Sequence, residues 1–301
     1  MRTYLRLLSA VALVCATAGS ARAQSTPDTT DVNYPIDGAI IGISLAGAYL
    51  FTLMPVDTDR SWESELFGTF DQRLRGRFSK RAAKISDATL VLTVTTPMLE
   101  QLGRDVDGRT GERAMIYGQT FALNLAGTAA VKYIVKRPRP YTYSESESVV
   151  RYAADAGKDS HVSFYSGHAS IAFSSAVAGS YLYAADSTSR AGKASAWLVN
   201  ITLAAATANL RVRAGKHFYS DVVIGALIGS ALGYAVPAFH AGDAGVYTPS
   251  ALELGAIAGG VVLGTAASQL IPLGETGGTK MTLAPAMIKG GTGLAISGSL
   301  K

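Results

Sequence analysis

Uncharged, mostly apolar runs recur along the chain at Gly38–Val56, Ala88–Leu99, Ala114–Val131, Ala169–Ala185, Ala194–Leu210, Val222–Phe239 and Gly255–Gly274. Most reach the lower limit of about 17 residues for a helix that crosses a bilayer. They are poor in leucine and isoleucine, and several carry polar residues such as Gln119, Asn124, Asn200 and Asn209. The pattern fits spans of a compact polytopic bundle or buried helices of a soluble one, and run length favours the membrane. Ala88–Leu99, the shortest run, is the one that need not span. Within the Val222–Phe239 region, Asp221, Gly225, Gly229 and Gly233 recur every four residues and line one helix face, where glycine lets a neighbouring helix approach closely.

The polar segments between the runs have characters of their own. Asp57 to Lys84 is a basic connector holding Arg60, Arg73, Arg75, Arg77, Lys80, Arg81 and Lys84, and 141–163 is a long polar loop rich in Tyr, Ser and Glu. After Gly274 the pattern changes: "MTLAPAMI", a Lys-Gly-Gly-Thr-Gly stretch and "LAISGSLK" predict a short β-hairpin.

The first 23 residues read as a secretory signal, with Arg2 and Arg6 before the apolar Leu7 to Ala18 and an A-x-A site at Ala21-Arg22-Ala23. The expected division is a signal at 1–23, a flexible lead at 24–37, a helical domain at 38–240 and a C-terminal extension at 241–301. Export implies the bacterial cell envelope, inner membrane or periplasm. Cys15, the single cysteine, lies inside the signal, so no disulfide or cysteine-held metal is expected in the mature chain.

Of the 301 residues 48% are hydrophobic and 16% charged, with a net charge of +5. That excess favours anionic partners or an anionic membrane surface. The basic residues come with apolar helices and no aromatic stacking platform, which argues against nucleic acid. Where the charge clusters is more informative: "VKYIVKRPRPYTY" (131–143) ends an apolar run with Lys132, Lys136, Arg137 and Arg139.

There are four histidines. His161 and His240 read as exposed surface residues. His168 follows Ser166 and Gly167 at the start of an apolar run, where a helix N-terminus offers free N–H groups and the positive end of its dipole to an anion. Plain serine capping explains the same residues. Asp221 lies four residues after His217 and can orient its imidazole, which suits a nucleophile or general base. Arg211 ends another apolar run; its planar fork of donors matches a phosphate, or a structural pair with Asp221.

The order Lys-x6-Arg-Pro (Lys132, Arg139, Pro140), Ser-Gly-His (Ser166, Gly167, His168) and Arg-x5-His-x3-Asp (Arg211, His217, Asp221) resembles the three-part signature of the type 2 phosphatidic acid phosphatase (PAP2) family. That superfamily also holds bacterial acid phosphatases and vanadium haloperoxidases. Nine residues in three ordered blocks carry the likeness. Tyr165 stands where the family usually has proline, and Leu210 where it usually has serine.

The resemblance implies an all-α, six-helix bundle over about 38–239, followed by an extra apolar segment and the hairpin. It implies hydrolysis of a lipid or small organic phosphomonoester without metal or cofactor. His217 would attack phosphorus, Asp221 would orient it, and His168 would protonate the leaving group and then activate water. Lys132, Arg139, Ser166, Gly167 and Arg211 would hold the phosphate. Lys136 and Arg137 fall outside these roles and read as flanking surface charge. The alternatives are a vanadium-dependent haloperoxidase, with vanadate as its cofactor, and a catalytically silent envelope protein of the same fold.

Overall fold

The computed structural model describes residues 30–58, 68–102, 107–243, 245–273, 280–288 and 291–299. The expected signal at 1–23, with Cys15, lies outside the described residues. Nine helices occur among them: α1 (Tyr34–Thr52), α2 (Gly68–Gln72), α3 (Lys80–Leu102), α4 (Thr110–Val135), α5 (Glu147–Ala156), α6 (Gly167–Asp186), α7 (Arg190–Arg213), α8 (Tyr219–Phe239) and α9 (Ala251–Gln269). Strands β1 (Lys280–Ile288) and β2 (Gly291–Ser299) pair antiparallel, with Lys280 opposite Ser299 and Ile288 opposite Gly291. The expected all-α bundle with an extra apolar helix and a hairpin is present.

Six long helices (α1, α3, α4, α6, α7 and α8) make the bundle. The central one is α6, which packs on α3, α4, α7 and α8, while α1 lies on α4 and α9 lies on α7. Alanine and serine make α6 narrow: Ala169, Ala172, Ala176 and Ala178 are buried, as are Ser170, Ser174 and Ser180. The core at its middle joins Leu90, Val94, Phe121, Ile171, Val177, Trp197 and Ile201. Buried polar side chains pair within this narrow packing: Asn124 donates to Ser174 Oγ at 2.7 Å and accepts from Ser170 Oγ at 2.6 Å. Such pairing removes the cost of burying an amide away from water.

The glycine stripe of α8 explains the closest contact. A Cβ on Gly225, Gly229 or Gly233 would come within 2.7, 2.2 or 2.6 Å of the carbonyl oxygen of Ser166, which caps α6, or of Ser170 or Ser174 within it. Two four-residue periods therefore interlock along one seam. Gly229→Ala is expected to push the helices apart and cost about 1–3 kcal/mol, the usual cost of overpacking. A thermal melt of the detergent-solubilised protein checks it.

Helix ends follow local sequence. Ser166 Oγ accepts from the Ala169 N–H at 3.3 Å, and Ser189 Oγ from the Gly192 N–H at 3.0 Å. At the end of α4, Lys136 takes a left-handed conformation (φ 55°) and its N–H returns to the Lys132 carbonyl. Pro138 follows, and Arg139 is extended before a short 3-10 helix at Pro140–Tyr143.

Several sequence expectations change here. The first helix starts before the expected boundary at 38: the Thr30 backbone bridges Ala241, and Asn33 accepts from the Ile36 N–H to start α1 with Pro35 in its first turn. The polar stretch 141–163 is not one open loop, because α5 and a 3-10 helix at Gly157–His161 form within it. Val149 on α5 is buried against Phe78 and Tyr141, which anchors that helix over the bundle end. His240 is buried rather than exposed, with Nδ1 2.8 Å from the Val236 carbonyl and Nε2 3.3 Å from Asp37 Oδ1 on α1. His161 is half-buried against Ser160.

Among the described residues, α1, α8 and α9 are long and apolar enough to cross a membrane. They carry exposed Ile43, Tyr49 and Leu50, then Val223 and Leu227, then Leu254, Val262 and Leu263. Apolar surface of this extent supports membrane association. The apolar runs behind α4, α6 and α7 instead form strongly buried helices of the bundle. The short run Ala88–Leu99 sits inside a 23-residue helix, so α3 runs the length of the bundle like its neighbours.

Candidate active site

Four helix termini converge at one end of the bundle: the C-terminal ends of α4 and α7 and the N-terminal ends of α6 and α8. The three sequence blocks, up to 89 positions apart between Lys132 and Asp221, meet there. A Cβ on Gly167 would lie 3.6 Å from Lys132 Cε and 3.1 Å from Thr128 Cγ2, so glycine lets the α6 terminus seat against α4. The Ser166 N–H donates to the Asp221 carbonyl at 2.9 Å, tying the α6 terminus to α8. Tyr165 and Leu210, at the two departures from the family pattern, are both buried.

His217 is 1% exposed. Its Nε2 lies 3.1 Å from Arg139 Nη1. Its Nδ1 lies 3.6 Å from Asp221 Oδ2, beyond hydrogen-bond length, and 3.4 Å from Ser163 Oγ. Ser163 Oγ donates to that same carboxylate oxygen at 2.5 Å, and the Phe218 N–H donates to it at 2.9 Å. Asp221 thus lies beside His217 within a shared network that includes Ser163. Burial, reinforced by Arg139, Lys132 and Arg211, pushes the His217 imidazole well below its ordinary value and keeps it neutral.

The cations are held by the protein in turn. Lys132 Nζ donates to the Val162 carbonyl at 2.6 Å. Arg139 donates from Nε to the Asp159 carbonyl, from Nη2 to Asp159 Oδ1 at 2.8 Å and from Nη1 to the Lys216 carbonyl at 2.9 Å. Arg211 Nη1 reaches Ser86 Oγ at 3.1 Å and Asp87 Oδ1 at 3.3 Å. The same Asp87 oxygen lies 2.8 Å from His168 Nε2, so one carboxylate on α3 joins the Arg211 and His168 blocks. Asp87 and Asp159 have half-exposed side chains, at 54% and 56%.

Arg137 overturns its reading as flanking surface charge. It is 5% exposed and stacks 4.1 Å over the Phe218 ring. Nη1 donates to Asp221 Oδ1 at 2.7 Å and to Ser220 Oγ at 2.8 Å, and Nη2 donates to Asp71 Oδ2 at 2.9 Å. Asp71, on α2, also accepts from the Ser220 N–H and hydroxyl. The physical reason is the left-handed turn at Lys136, which sends consecutive residues in different directions: Lys136 stays half-exposed while Arg137 enters the core.

All eight expected site residues gather at this end of the bundle. Arg137 was read from sequence as surface charge, and Asp71, Asp87, Asp159, Ser163 and Lys216 were not singled out. Asp71 and Asp87 stand in stretches with no spacing that ties them to the blocks. Among the described residues no group of three His, Cys, Asp or Glu side chains has the arrangement of a metal site.

The PAP2 superfamily model matches residues 113–243, which covers α4 to α8 and all three blocks. No curated protein and no solved structure matches the chain. The six-helix bundle and the three converging blocks agree with that match, so over 113–243 the chain is similar to the PAP2 superfamily.

Proposed function

We propose that the protein is a phosphomonoesterase that works through a phosphohistidine on His217. The observation that carries this reading is the approach of His217 Nε2 to Arg139 Nη1 at 3.1 Å, beside the α6 N-terminus and within the Lys132–Arg139–Arg211 group of cations. A neutral imidazole nitrogen aimed at a phosphate-binding guanidinium is aimed at where phosphorus would sit.

In the first step His217 Nε2 forms a bond to phosphorus and the ester P–O bond breaks. The departing oxygen takes a proton from His168, which leaves an alcohol. In the second step His168 accepts a proton from water, whose oxygen displaces the histidine and releases inorganic phosphate. Lys132, Arg139, Arg211, Ser166 and the Gly167 N–H stabilise the charge spread over the equatorial oxygens. Asp221 and Ser163 hold the Nδ1 side of His217, and Asp87 holds His168 before substrate enters. No metal or cofactor is needed for this sequence of steps.

The exposed apolar faces of α1, α8 and α9 support a lipid phosphate as substrate. The C-terminal end of α1 lies at the site end, where Lys158 donates to the Thr52 carbonyl, so lipid-facing surface borders the site. Small organic phosphomonoesters remain the substrate class to compare in the assay. Phosphate release from both classes by the detergent-solubilised protein tests the proposal, and orthovanadate is expected to inhibit it. Vanadate-stimulated bromination instead would point to haloperoxidase chemistry, and no phosphate release from either class would sink the phosphatase.

The envelope location is part of the same proposal. Arg113 near the start of α4 pairs with Asp186 at the end of α6, so that end of the bundle is opposite the site. If the bundle spans, reporter fusions after residues 109 and 145 are expected to give opposite signals, and the second reports the side on which the site lies. Equal signals at both positions would exclude a spanning bundle.

A further inference from the structure

Lys216 precedes the proposed nucleophile and lies outside the nine-residue signature. Its direction is set by Gly215, whose positive φ of 67° and contact with the Arg77 backbone exclude a side chain: a Cβ there would fall 1.7 Å from the Arg77 oxygen. The Lys216 N–H then donates to the Arg211 carbonyl and its own carbonyl accepts from Arg139, so the residue is stitched between two proposed phosphate ligands. The side chain runs inward, leaving the residue 7% exposed.

Its ammonium sits in an aromatic cage. Nζ lies 4.8 Å from the Tyr141 ring centre and 4.7 Å from that of Tyr152, and it donates to Tyr152 Oη at 2.5 Å. An ammonium has three donors, and among the described residues this one makes a single hydrogen bond and no ion pair. Buried lysine is uncommon without a paired carboxylate. The charged groups facing it are Arg139, Arg211 on α7, Asp159 and Asp87 on α3, and Lys80 lies 5.6 Å from the Tyr152 ring on α5. Both guanidiniums oppose its charge, and both carboxylates are already engaged by Arg139, Arg211 and His168. Such a group lacks an anion.

We propose that Lys216 is a further phosphate-binding cation of the site, held by the Tyr141–Tyr152 cage with donors free for the bound phosphate. The proposal rests on the phosphatase reading above. Burial, then Arg139 and Arg211, lowers the Lys216 ammonium to about 7, against the opposing pull of Asp159 and Asp87. Below that pH it is charged and attracts phosphate; as pH rises through it, the attraction is lost.

The test is binding of inorganic phosphate to the full-length protein in detergent, measured by calorimetry from about pH 6 to about pH 9, for wild type and Lys216→Met. The wild-type to variant affinity ratio removes phosphate's own titration. It is expected to be roughly 10-fold or more at the acid end, the usual loss for a charge-assisted hydrogen bond, and to fall toward one at the alkaline end. A ratio near one throughout, or a loss that does not change with pH, overturns the proposal. If Lys216→Met does not fold, Lys216→Arg carries the test, because its charge does not titrate. Wild-type affinity should then fall more steeply with pH than that of the arginine variant, and equal falls overturn the proposal. Absence of phosphate binding by wild type at every pH would instead count against the phosphatase reading itself.

Discussion

His217→Ala is expected to lower phosphate release by roughly a thousandfold or more while leaving phosphate binding largely in place. The imidazole supplies the proposed bonding atom, whereas the phosphate is held by Lys132, Arg139, Arg211 and the α6 N-terminus. The variant removes the atom that forms the phosphoenzyme bond and spares the cradle. Turnover of a phosphomonoester and calorimetric titration with inorganic phosphate measure the two halves. In wild type, rapid quenching at alkaline pH should trap label from a phosphorus-labelled substrate on the protein, and His217→Ala should trap none. Wild-type turnover by His217→Ala would exclude this residue as nucleophile. Because burial and the neighbouring cations keep His217 neutral, its own titration is not expected to limit activity on the acid side of neutrality.

Arg137→Met is expected to give the largest loss of stability, about 3–5 kcal/mol, by breaking a buried charge network from one side. The arginine bridges two carboxylates, Asp71 and Asp221, that are almost fully buried. Its removal leaves both without their cation and also loses the stacking on Phe218. Arg137→Lys should recover only part of the loss, because an ammonium cannot reproduce the fork that reaches both acids. Lys136→Ala, one residue earlier and half-exposed, should change the melt by much less. Thermal melting of the three variants compares them, and an Arg137→Met melt equal to that of Lys136→Ala would show that the network adds nothing to stability. Activity should fall with Arg137→Met as well, because Asp221 loses a partner that fixes the carboxylate beside His217.

The expected effects divide along the same line as what can be recognised from residues alone. The nine-residue signature was legible because it is made of particular residue types at fixed spacings along the chain. The helices were legible for a similar reason: apolar runs, serine caps and the four-residue glycine stripe are local patterns. Gly225, Gly229 and Gly233 also announced a close helix contact, although not that α6 was the partner.

Other features depend on where chain segments meet. Nothing local distinguishes Arg137 from Lys136; one left-handed residue sends the first into the core and leaves the second near the surface. Asp71 and Asp87 acquire their roles from helices α2 and α3, 150 and 124 positions before Asp221 and Arg211. His240 is buried because α1 brings Asp37 beside it, and Lys216 is buried because α5 folds Tyr152 over the site. Local patterning and motif spacing were enough for the helical class and the superfamily resemblance, and the eight residues they single out meet at one end of the bundle. The counter-charges, the lysine cage and the alignment of six helices with one site end required tertiary structure, since burial and charge pairing arise between segments that no local pattern connects.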